Sequence, residues 1–375
     1  MIPTFYSESF LFSSLGVFLY KIFVFSGLLL VTYFLSVLTK VKQRTLLVIL
    51  IVIELGLLFI LMMIQNGVNL PTFIDVKFRN FYVGSFRNTV QYNSNLAQYN
   101  PDLLYTLKEG KGVFTGWEFS DTFQINRLGV RDDDQSLINP EIIFLGDSYT
   151  MGWGVSQEET FAQIVEQKTS MNSLNMGISS YGTAREFLLL EKIDYSSSKL
   201  MVIQFCSNDN FENNQFVKQG KLEISSKESY EKVILRNNLN LSYYPFKYFF
   251  EFVAKIPRAI IREIFLATDS EVSDEEESSK NYVENFFKII DLIQKRFEGK
   301  ILILHIEPHR ISKEVFLDFE KYIKEHQYSK VFLLDTWNFI EPNDYYELDD
   351  HLKAEGHQKI GEGILQFIKE QKIIK

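Results

Sequence analysis

The chain has 375 residues, 46% of them hydrophobic, and its formal net charge is −9. This composition can bury a sizeable core and excludes a disordered protein. The acidic balance argues against nucleic acid as a partner, because nucleic acid requires a clustered basic face. The single cysteine, Cys206, excludes an internal disulfide and a cysteine-based metal cluster.

Two apolar stretches near the N-terminus predict membrane-spanning helices. Residues 22–39 contain no charged side chain, and residues 45–65 contain one, Glu54. Each stretch is close to the ~20 residues that a helix needs to cross a bilayer core. A cleaved signal peptide is the alternative for the first stretch, but its apolar part exceeds the roughly 7–15 residues of a signal core. We therefore expect a transmembrane hairpin within residues 1–65.

The loop between the two stretches sets the expected orientation. Its sequence, KVKQR at residues 40–44, contains three cations, and short loops of this kind stay in the cytoplasm. Both ends of the hairpin then face outward. Residues 66–375 are therefore expected to be exocytoplasmic, that is, periplasmic or extracellular.

Glu54 stands out because a carboxylate in the middle of a bilayer is costly and usually faces protein or water. One interpretation is a contact with a membrane-protein partner, or a proton-linked role. The interpretation that we favour is a protonated side chain bonded to the neighbouring span, where the polar candidates are Ser26, Thr32 and Tyr33.

Beyond the hairpin the pattern changes at about residue 136. Residues 66–135 are irregular and are expected to form a connecting segment with short strands, whereas residues 136–375 alternate apolar runs with helical periodicity. The apolar runs lie at 141–146, 171–176, 199–206, 300–306 and 331–335, and the helical patterns at 157–168, 183–194, 280–298, 312–326 and 354–372. Two helix starts match a capping box, Ser156-x-x-Glu159 and Thr183-x-x-Glu186. The alternation predicts a parallel sheet with helices on both faces.

An insertion at residues 211–280 interrupts the alternation. Its aromatic part, residues 243–252, could form a lid or a platform for an acyl group or a sugar, or could pack as an ordinary helix. Its acidic run, DSEVSDEEESS at residues 269–279, is expected to be a solvated loop because like charges repel one another.

Ligands of parallel sheets bind at the carboxyl ends of the strands, so the residues that follow each strand are the candidates for a site. Ser148 follows the first strand on a strand-to-helix turn, and His351 precedes the last helix with Asp349 and Asp350 beside it. A serine becomes a nucleophile when a base takes its proton and a third group orients that base. The turn does not fit the G-x-S-x-G pattern of an ordinary α/β-hydrolase, because Thr150 replaces the second glycine.

Four short blocks resemble those of the SGNH, or GDSL, hydrolase family. They are Gly146-Asp147-Ser148 with the residues up to Gly152, the isolated Gly177, Asn208-Asp209, and Asp349-Asp350-His351-Leu352. The stretch INRLGVRDDD, residues 125–134, is also similar to one that precedes the first block in membrane-anchored members. The resemblance covers roughly residues 120–372. It implies a flavodoxin-like three-layer α/β/α sandwich with a parallel sheet, here preceded by two transmembrane helices.

The resemblance also implies a role for each matching residue. Ser148 would be the nucleophile, His351 the general base and Asp349 the carboxylate that orients it. The oxyanion hole would consist of the backbone N–H groups of Ser148 and Gly177 and the side-chain amide of Asn208. Family members hydrolyse or transfer acyl esters, often on lipids or polysaccharides, and use no cofactor.

The chain departs from the family pattern at two positions. Cys206 stands where the third block usually has a glycine, two residues before its asparagine. The triad acid usually lies three residues before the histidine, where this chain has Leu348. The acid is then Asp349 or Asp350, and we favour Asp349 because Asp350 is too close in sequence to turn under the imidazole easily.

The remaining histidines have separate interpretations. His305 alternates within a strand and is expected in the core, His326 on the surface, and His357 in a structural position at the start of the last helix. His309 follows the fourth strand and is a candidate substrate contact. No His, Asp or Glu pair has metal-ligand spacing such as H-x-x-x-H, so we expect no metal. Cys206 is expected to be a buried packing residue.

Together these features favour an exocytoplasmic, membrane-anchored serine esterase or O-acyltransferase that acts on acylated carbohydrate or lipid of the cell envelope. The alternative is a catalytically silent, membrane-anchored subunit that binds or assembles an envelope polysaccharide and retains only the fold.

Overall fold

A computed structural model describes residues 8–68, 70–255, 281–308 and 313–373. Within these ranges the chain forms two compact units. The first, which we call the helical unit, takes the described residues within 8–89 and 231–255. The second, the sheet unit, takes the described residues within 90–230 and 281–373.

The helical unit contains the two apolar stretches as helices. Its first three helices are α1 (Glu8–Thr39), α2 (Gln43–Gln65) and α3 (Thr72–Phe86). Leu15–Thr39 of α1 and the whole of α2 are long and apolar enough to cross a membrane, by length and composition. Their large apolar side chains are mostly exposed, for example Phe23 at 77% and Leu38 at 76%, which differs from the core helix of a soluble protein.

Glu54 of α2 is buried by its own chain, with 4% of its surface exposed. Its carboxylate accepts hydrogen bonds from the backbone N–H groups of Tyr248 (3.3 Å) and Phe249 (2.8 Å), in the first turn of a helical segment that begins at residue 247. A carboxylate is stabilised there because the first N–H groups of a helix lack partners and carry partial positive charge. The prediction that Glu54 bonds to the first span, through the hydroxyl of Ser26, Thr32 or Tyr33, is therefore wrong.

The aromatic part of the insertion packs against α3. Phe252 stacks on Phe78 with ring centroids 5.9 Å apart, and Tyr248 lies edge-on to Phe86 at 4.8 Å. These contacts agree with ordinary helix packing, the second of the two interpretations of this part. The acidic run, residues 269–279, lies outside the described residues.

The sheet unit opens with two antiparallel hairpins within the predicted connecting segment. They pair β1 (Ala97–Asn100) with β2 (Leu104–Leu107), and β3 (Gly110–Thr115) with β4 (Ser120–Ile125). The side chains of Leu107, Phe114 and Phe123 are fully buried. The hairpins thus belong to the folded body of this unit.

A parallel sheet of five strands forms the centre of the sheet unit. Its strands are β5 (Ile142–Leu145), β6 (Ser173–Asn175), β7 (Leu200–Phe205), β8 (Lys300–His305) and β9 (Val331–Leu334), in the order β6-β5-β7-β8-β9. All five predicted strands are confirmed. The order is that of flavodoxin-like sheets, in which β5 and β7 flank the point where the winding reverses.

Helices cover both faces of this sheet. They are α4 (Ser148–Met151), α5 (Phe161–Thr169), α6 (Thr183–Leu190), α7 (Asp209–Gln219), α9 (Tyr282–Gln294), α10 (Lys313–Glu325) and α11 (Ala354–Glu370). One more helix, α8 (Lys227–Leu241), begins in the sheet unit and has most of its residues in the helical unit. On one face, α5 and α11 pack with Phe144 and Val202 into a single core. On the other, Phe205 contacts Phe286 of α9 at 5.2 Å and Phe319 of α10 at 5.0 Å. The predicted three-layer α/β/α architecture is therefore confirmed.

The two predicted capping boxes have different outcomes. Ser156 and Glu159 form the reciprocal box. The second box is wrong, because Gly182 is the N-cap of α6 and the Thr183 hydroxyl donates to Asp209 Oδ2 at 2.8 Å. Glu186 is fully buried instead, and burial, followed by the nearby charge of Asp209, raises its pKa well above the usual range.

His357 provides a test of the packing between α5 and α11. It is fully buried, its Nδ1 accepts the Phe161 N–H at 3.3 Å, and burial lowers its pKa to about 3. The unfolded chain binds a proton there below the ordinary pKa of about 6.5, so the free energy of unfolding should fall as pH drops from about 6.5 towards 3. We expect a loss of about 2 kcal/mol from His357 between pH 7.5 and 5.

The measurement is denaturant unfolding of the full chain in detergent at both pH values. His357→Gln keeps an acceptor for the Phe161 N–H and should reduce the pH dependence. His326→Gln, at an exposed position, is the control and should leave it unchanged. Equal pH dependence in the two variants would contradict this account.

Candidate active site

Three side chains that are far apart in sequence meet at the carboxyl edge of the sheet. Ser148 is the first residue of α4, directly after β5, and its Oγ lies 2.6 Å from His351 Nε2. His351 Nδ1 lies 2.5 Å from Asp349 Oδ1. All three residues are buried. With the ring proton on Nδ1, the imidazole donates to Asp349 and accepts the serine hydroxyl, which is the arrangement that a serine nucleophile requires.

The two neighbouring aspartates differ in their contact with the imidazole. Asp349 Oδ1 also accepts the backbone N–H of His351 at 3.2 Å, and its Oδ2 accepts Trp153 Nε1–H at 3.1 Å. Asp350 Oδ1 is 3.3 Å from Nδ1, and its side chain is 26% exposed. The geometry thus places Asp349, the favoured candidate, in the closer contact.

Trp153 supports both His351 and Asp349, a role that was not predicted from the sequence. Its ring stacks on the imidazole with centroids 4.7 Å apart and planes 16° apart, and only 2% of its surface is exposed. Phe114 of β3 lies edge-on to the same ring at 4.7 Å. Trp153 therefore fixes the imidazole plane as well as one oxygen of the acid. The sequence feature that could have indicated a role for Trp153 is its position between Gly152 and Gly154, just after the serine block.

Arg131 holds the loop that carries Trp153. It is 1% exposed, and its guanidinium donates to the backbone carbonyls of Met151, Gly152 and Val155. Burial lowers its pKa to about 10. Arg131 belongs to the INRLGVRDDD stretch. The resemblance to the family therefore included this segment, but the contact of Arg131 with the Trp153 loop was not predicted.

The three expected oxyanion-hole donors have different surroundings. The Ser148 N–H makes no hydrogen bond within the described part of the chain, whereas the Gly177 N–H donates to Asn175 Oδ1 at 2.9 Å. Asn175 Nδ2 in turn donates to the Thr150 carbonyl at 2.8 Å. Asn208 is exposed at the start of α7. The participation of all three in an oxyanion hole remains a prediction.

Other polar groups secure the strand ends on either side of Ser148. Gln204 Oε1 accepts the Asp147 N–H at 3.1 Å, and Asp147 Oδ1 accepts the Tyr149 N–H at 2.9 Å. Burial raises the pKa of Asp147 to about 6. Glu307, after β8, accepts the Ser207 N–H at 2.7 Å and thereby holds the turn that precedes Asn208.

The remaining candidates lie as follows. His305 is buried, with Nε2 3.0 Å from Glu307 Oε1, and His326 is exposed, both as predicted. Cys206 is a free, buried thiol whose pKa is raised by burial. His309, the candidate substrate contact, lies outside the described residues.

Asp349, Asp350 and His351 are close enough together to surround a metal ion, but the hydrogen bonds of Asp349 and His351 already account for this grouping.

Solved structures that are similar to parts of this chain include three esterases or lipolytic proteins. An acetyl xylan esterase from the rumen bacterium Butyrivibrio proteoclasticus is 11% identical over 62% of this chain and 64% of that chain, so less than two thirds of that enzyme is matched, with a TM-score of 0.35. A putative lipolytic protein of the G-D-S-L family from Desulfitobacterium hafniense is 12% identical over 61% and 99%, with a TM-score of 0.31. An SGNH-hydrolase family esterase is 14% identical over 62% and 96%, with a TM-score of 0.28.

No family model matches the chain, and no curated protein matches it. The activity proposed for this chain therefore follows from its own side-chain geometry.

Gly177 provides a test of the packing around Ser148. A Cβ at this position would lie 2.2 Å from the backbone nitrogen of Met151 in α4, so Gly177→Ala must displace α4 or the strand end. We expect it to lower the free energy of unfolding by about 1–3 kcal/mol. Gly84→Ala is the matched control, because a Cβ there would have, among the described residues beyond its own helix, only Lys255 Nζ within 4 Å, at 3.5 Å. Equal thermal stability of the two variants would contradict the close approach.

Proposed function

We propose that this protein is a membrane-anchored serine esterase or O-acyltransferase. The observation that carries the proposal is the continuous hydrogen-bonded series from Ser148 Oγ through His351 to Asp349. A buried serine hydroxyl bonded to an imidazole whose other nitrogen contacts a carboxylate is the arrangement used for acyl transfer.

The reaction proceeds in two halves. His351 Nε2 takes the Ser148 proton as Oγ attacks the acyl carbonyl, and Asp349 stabilises the imidazolium that forms. The N–H of Ser148, with Asn208 and Gly177, would stabilise the oxyanion, and such donors contribute about 2.7–4 kcal/mol each in related chemistry. His351 then protonates the leaving alcohol, which leaves an acyl group on Ser148. In the second half, His351 activates water or an acceptor hydroxyl, which takes the acyl group and restores Ser148.

Hydrolase and transferase share the acyl-serine intermediate and differ only in the second nucleophile. We propose acylated carbohydrate or lipid of the cell envelope as the substrate class, because an anchored enzyme meets such molecules at the membrane surface. A catalytically silent binding subunit is the less favoured candidate. It would not need the bond between Ser148 and His351, nor the support that Trp153 gives to both His351 and Asp349.

The anchor is proposed to be the hairpin of α1 and α2. Exposed apolar side chains cover both helices, including Leu38 and Val52, and a surface of this kind suits lipid better than water. The cationic loop at residues 40–44 supports a cytoplasmic turn. With this orientation, the sheet unit would lie on the periplasmic or extracellular side.

A fluorophosphonate probe tests the catalytic half of the proposal. The full chain in detergent should be labelled at Ser148, and Ser148→Ala should abolish labelling. His351→Ala should slow it by about 10²–10⁴-fold, because a positioned base contributes that much. His326→Ala, at an exposed histidine, is the control and should label at the wild-type rate. A folded wild-type chain that is not labelled would favour the binding subunit.

Reporter fusions test the orientation. Alkaline phosphatase fused after residue 70 should be active, because it would lie outside the cytoplasm, and the same reporter within residues 40–44 should be inactive. A fluorescent reporter that is active only in the cytoplasm should be fluorescent within residues 40–44 and dark after residue 70. A reversed result at both positions would contradict the exocytoplasmic placement.

A further inference from the structure

We propose that Glu118 is a positioning residue that selects Asp349, rather than Asp350, as the acid that orients His351. This inference rests on the proposed function and extends it to a residue outside the four sequence blocks. Glu118 lies in the turn between β3 and β4, in the segment that the sequence predicted to be a connection.

The Glu118 carboxylate accepts hydrogen bonds from three consecutive backbone N–H groups of the loop before His351. Its Oε1 accepts the N–H of Glu347 at 2.8 Å, and its Oε2 accepts the N–H groups of Leu348 and Asp349, each at 2.8 Å. Hydrogen bonds to an ionised acceptor are stronger than neutral ones. Three from a single side chain fix the backbone of this loop up to the residue that bears the acid.

This attachment matters because two carboxylates compete for the same imidazole nitrogen. Asp349 Oδ1 is 2.5 Å and Asp350 Oδ1 is 3.3 Å from His351 Nδ1. Glu118 anchors the backbone of Asp349, while Trp153 Nε1–H anchors the second oxygen of its side chain at 3.1 Å. A small rotation of a freed loop would bring Asp350 closer to Nδ1 at the expense of Asp349.

The same turn also contacts Trp153. The ring centroid of Phe119, next to Glu118, lies 6.4 Å from that of Trp153 and 5.5 Å from that of Tyr346. The Tyr346 hydroxyl donates to the Gly154 carbonyl at 2.5 Å. Glu118 is thus part of a turn that contacts both the loop of His351 and the loop of Trp153, and it acts on the reaction through Asp349.

Glu118→Gln has nearly the same shape but replaces one acceptor oxygen with an N–H₂ donor that faces backbone donors. We expect kcat for p-nitrophenyl acetate to fall by about 10- to 100-fold, because misplacement of a catalytic group by about 1 Å has an effect of this size. KM should change by less than about 3-fold, because the residue does not contact substrate. Glu109→Gln, at an exposed glutamate just before β3, is the matched control and should retain wild-type kcat.

A double-mutant cycle tests whether Glu118 selects Asp349. In the wild-type background, Asp349→Asn should lower kcat far more than Asp350→Asn does. In the Glu118→Gln background, the loss of kcat caused by Asp349→Asn should be smaller, and the loss caused by Asp350→Asn should be larger. Wild-type kcat in Glu118→Gln, or penalties of the two aspartate variants that are the same in both backgrounds, would overturn the proposal.

Two further measurements separate this inference from the proposed function. Thermal unfolding shows whether Glu118→Gln is folded, and Glu118→Asp, which keeps the charge but shortens the reach, replaces it if it is not. The Nδ1 proton of His351, observed by NMR with labelled histidine, reports the contact with Asp349 without any catalysis. A resonance that shifts in the Glu118 variant and not in Glu109→Gln supports positioning even if no ester is hydrolysed, whereas an unchanged resonance contradicts it.

Discussion

The hydrogen bond between Ser148 and His351 joins residues that are 203 positions apart, and the proposed chemistry depends on it. The parallel sheet makes this contact possible, because it brings the carboxyl ends of all its strands to one edge. Ser148 follows β5, Gly177 follows β6 and Asn208 follows β7. β5 and β7 are neighbours at the reversal of the winding, where such sheets leave a crevice for a ligand.

A second constraint comes from outside the sheet. Arg131 holds the loop that carries Trp153, and Trp153 and Glu118 contact the loop that carries His351. Arg131 and Glu118 lie before the first strand of the sheet. A buried guanidinium and a carboxylate that accepts three backbone hydrogen bonds are costly to desolvate, so their partners must be in place for the chain to fold. The turn between β3 and β4 thus contacts the loop that carries His351, in a region where the sequence predicted a connecting segment with short strands.

The elements of the sheet could be predicted from sequence because the signal is local. Apolar runs such as residues 141–146, which contain β5, alternate with helical periodicity, and the four blocks identified Ser148, His351 and the two aspartates. Of the two aspartates the sequence favoured Asp349, and the structure places Asp349 2.5 Å and Asp350 3.3 Å from His351 Nδ1. The contact of Trp153 with Asp349 could not be predicted, because it joins residues 196 positions apart.

The failed expectations share a physical reason, which is that distant residues outcompeted local ones. Glu54 finds its partners, Tyr248 and Phe249, 194 and 195 residues away, rather than in the adjacent helix. Thr183 donates to Asp209 instead of capping its own helix, and Glu186 is buried in the core. Glu118 could not be recognised because nothing in the sequence links a hairpin turn to a loop about 230 residues later.

The central claim is that Ser148 takes the acyl group from an ester and passes it to water or to an acceptor hydroxyl. The most direct measurement is a rapid acid quench of the full chain mixed with p-nitrophenyl acetate, followed by mass spectrometry of its peptides. The account predicts an acetyl group on Ser148 that forms within the first turnover and is absent from His351→Ala over the same time. An acetyl group on another residue, or release of p-nitrophenol with Ser148 unmodified at every time point, would contradict it.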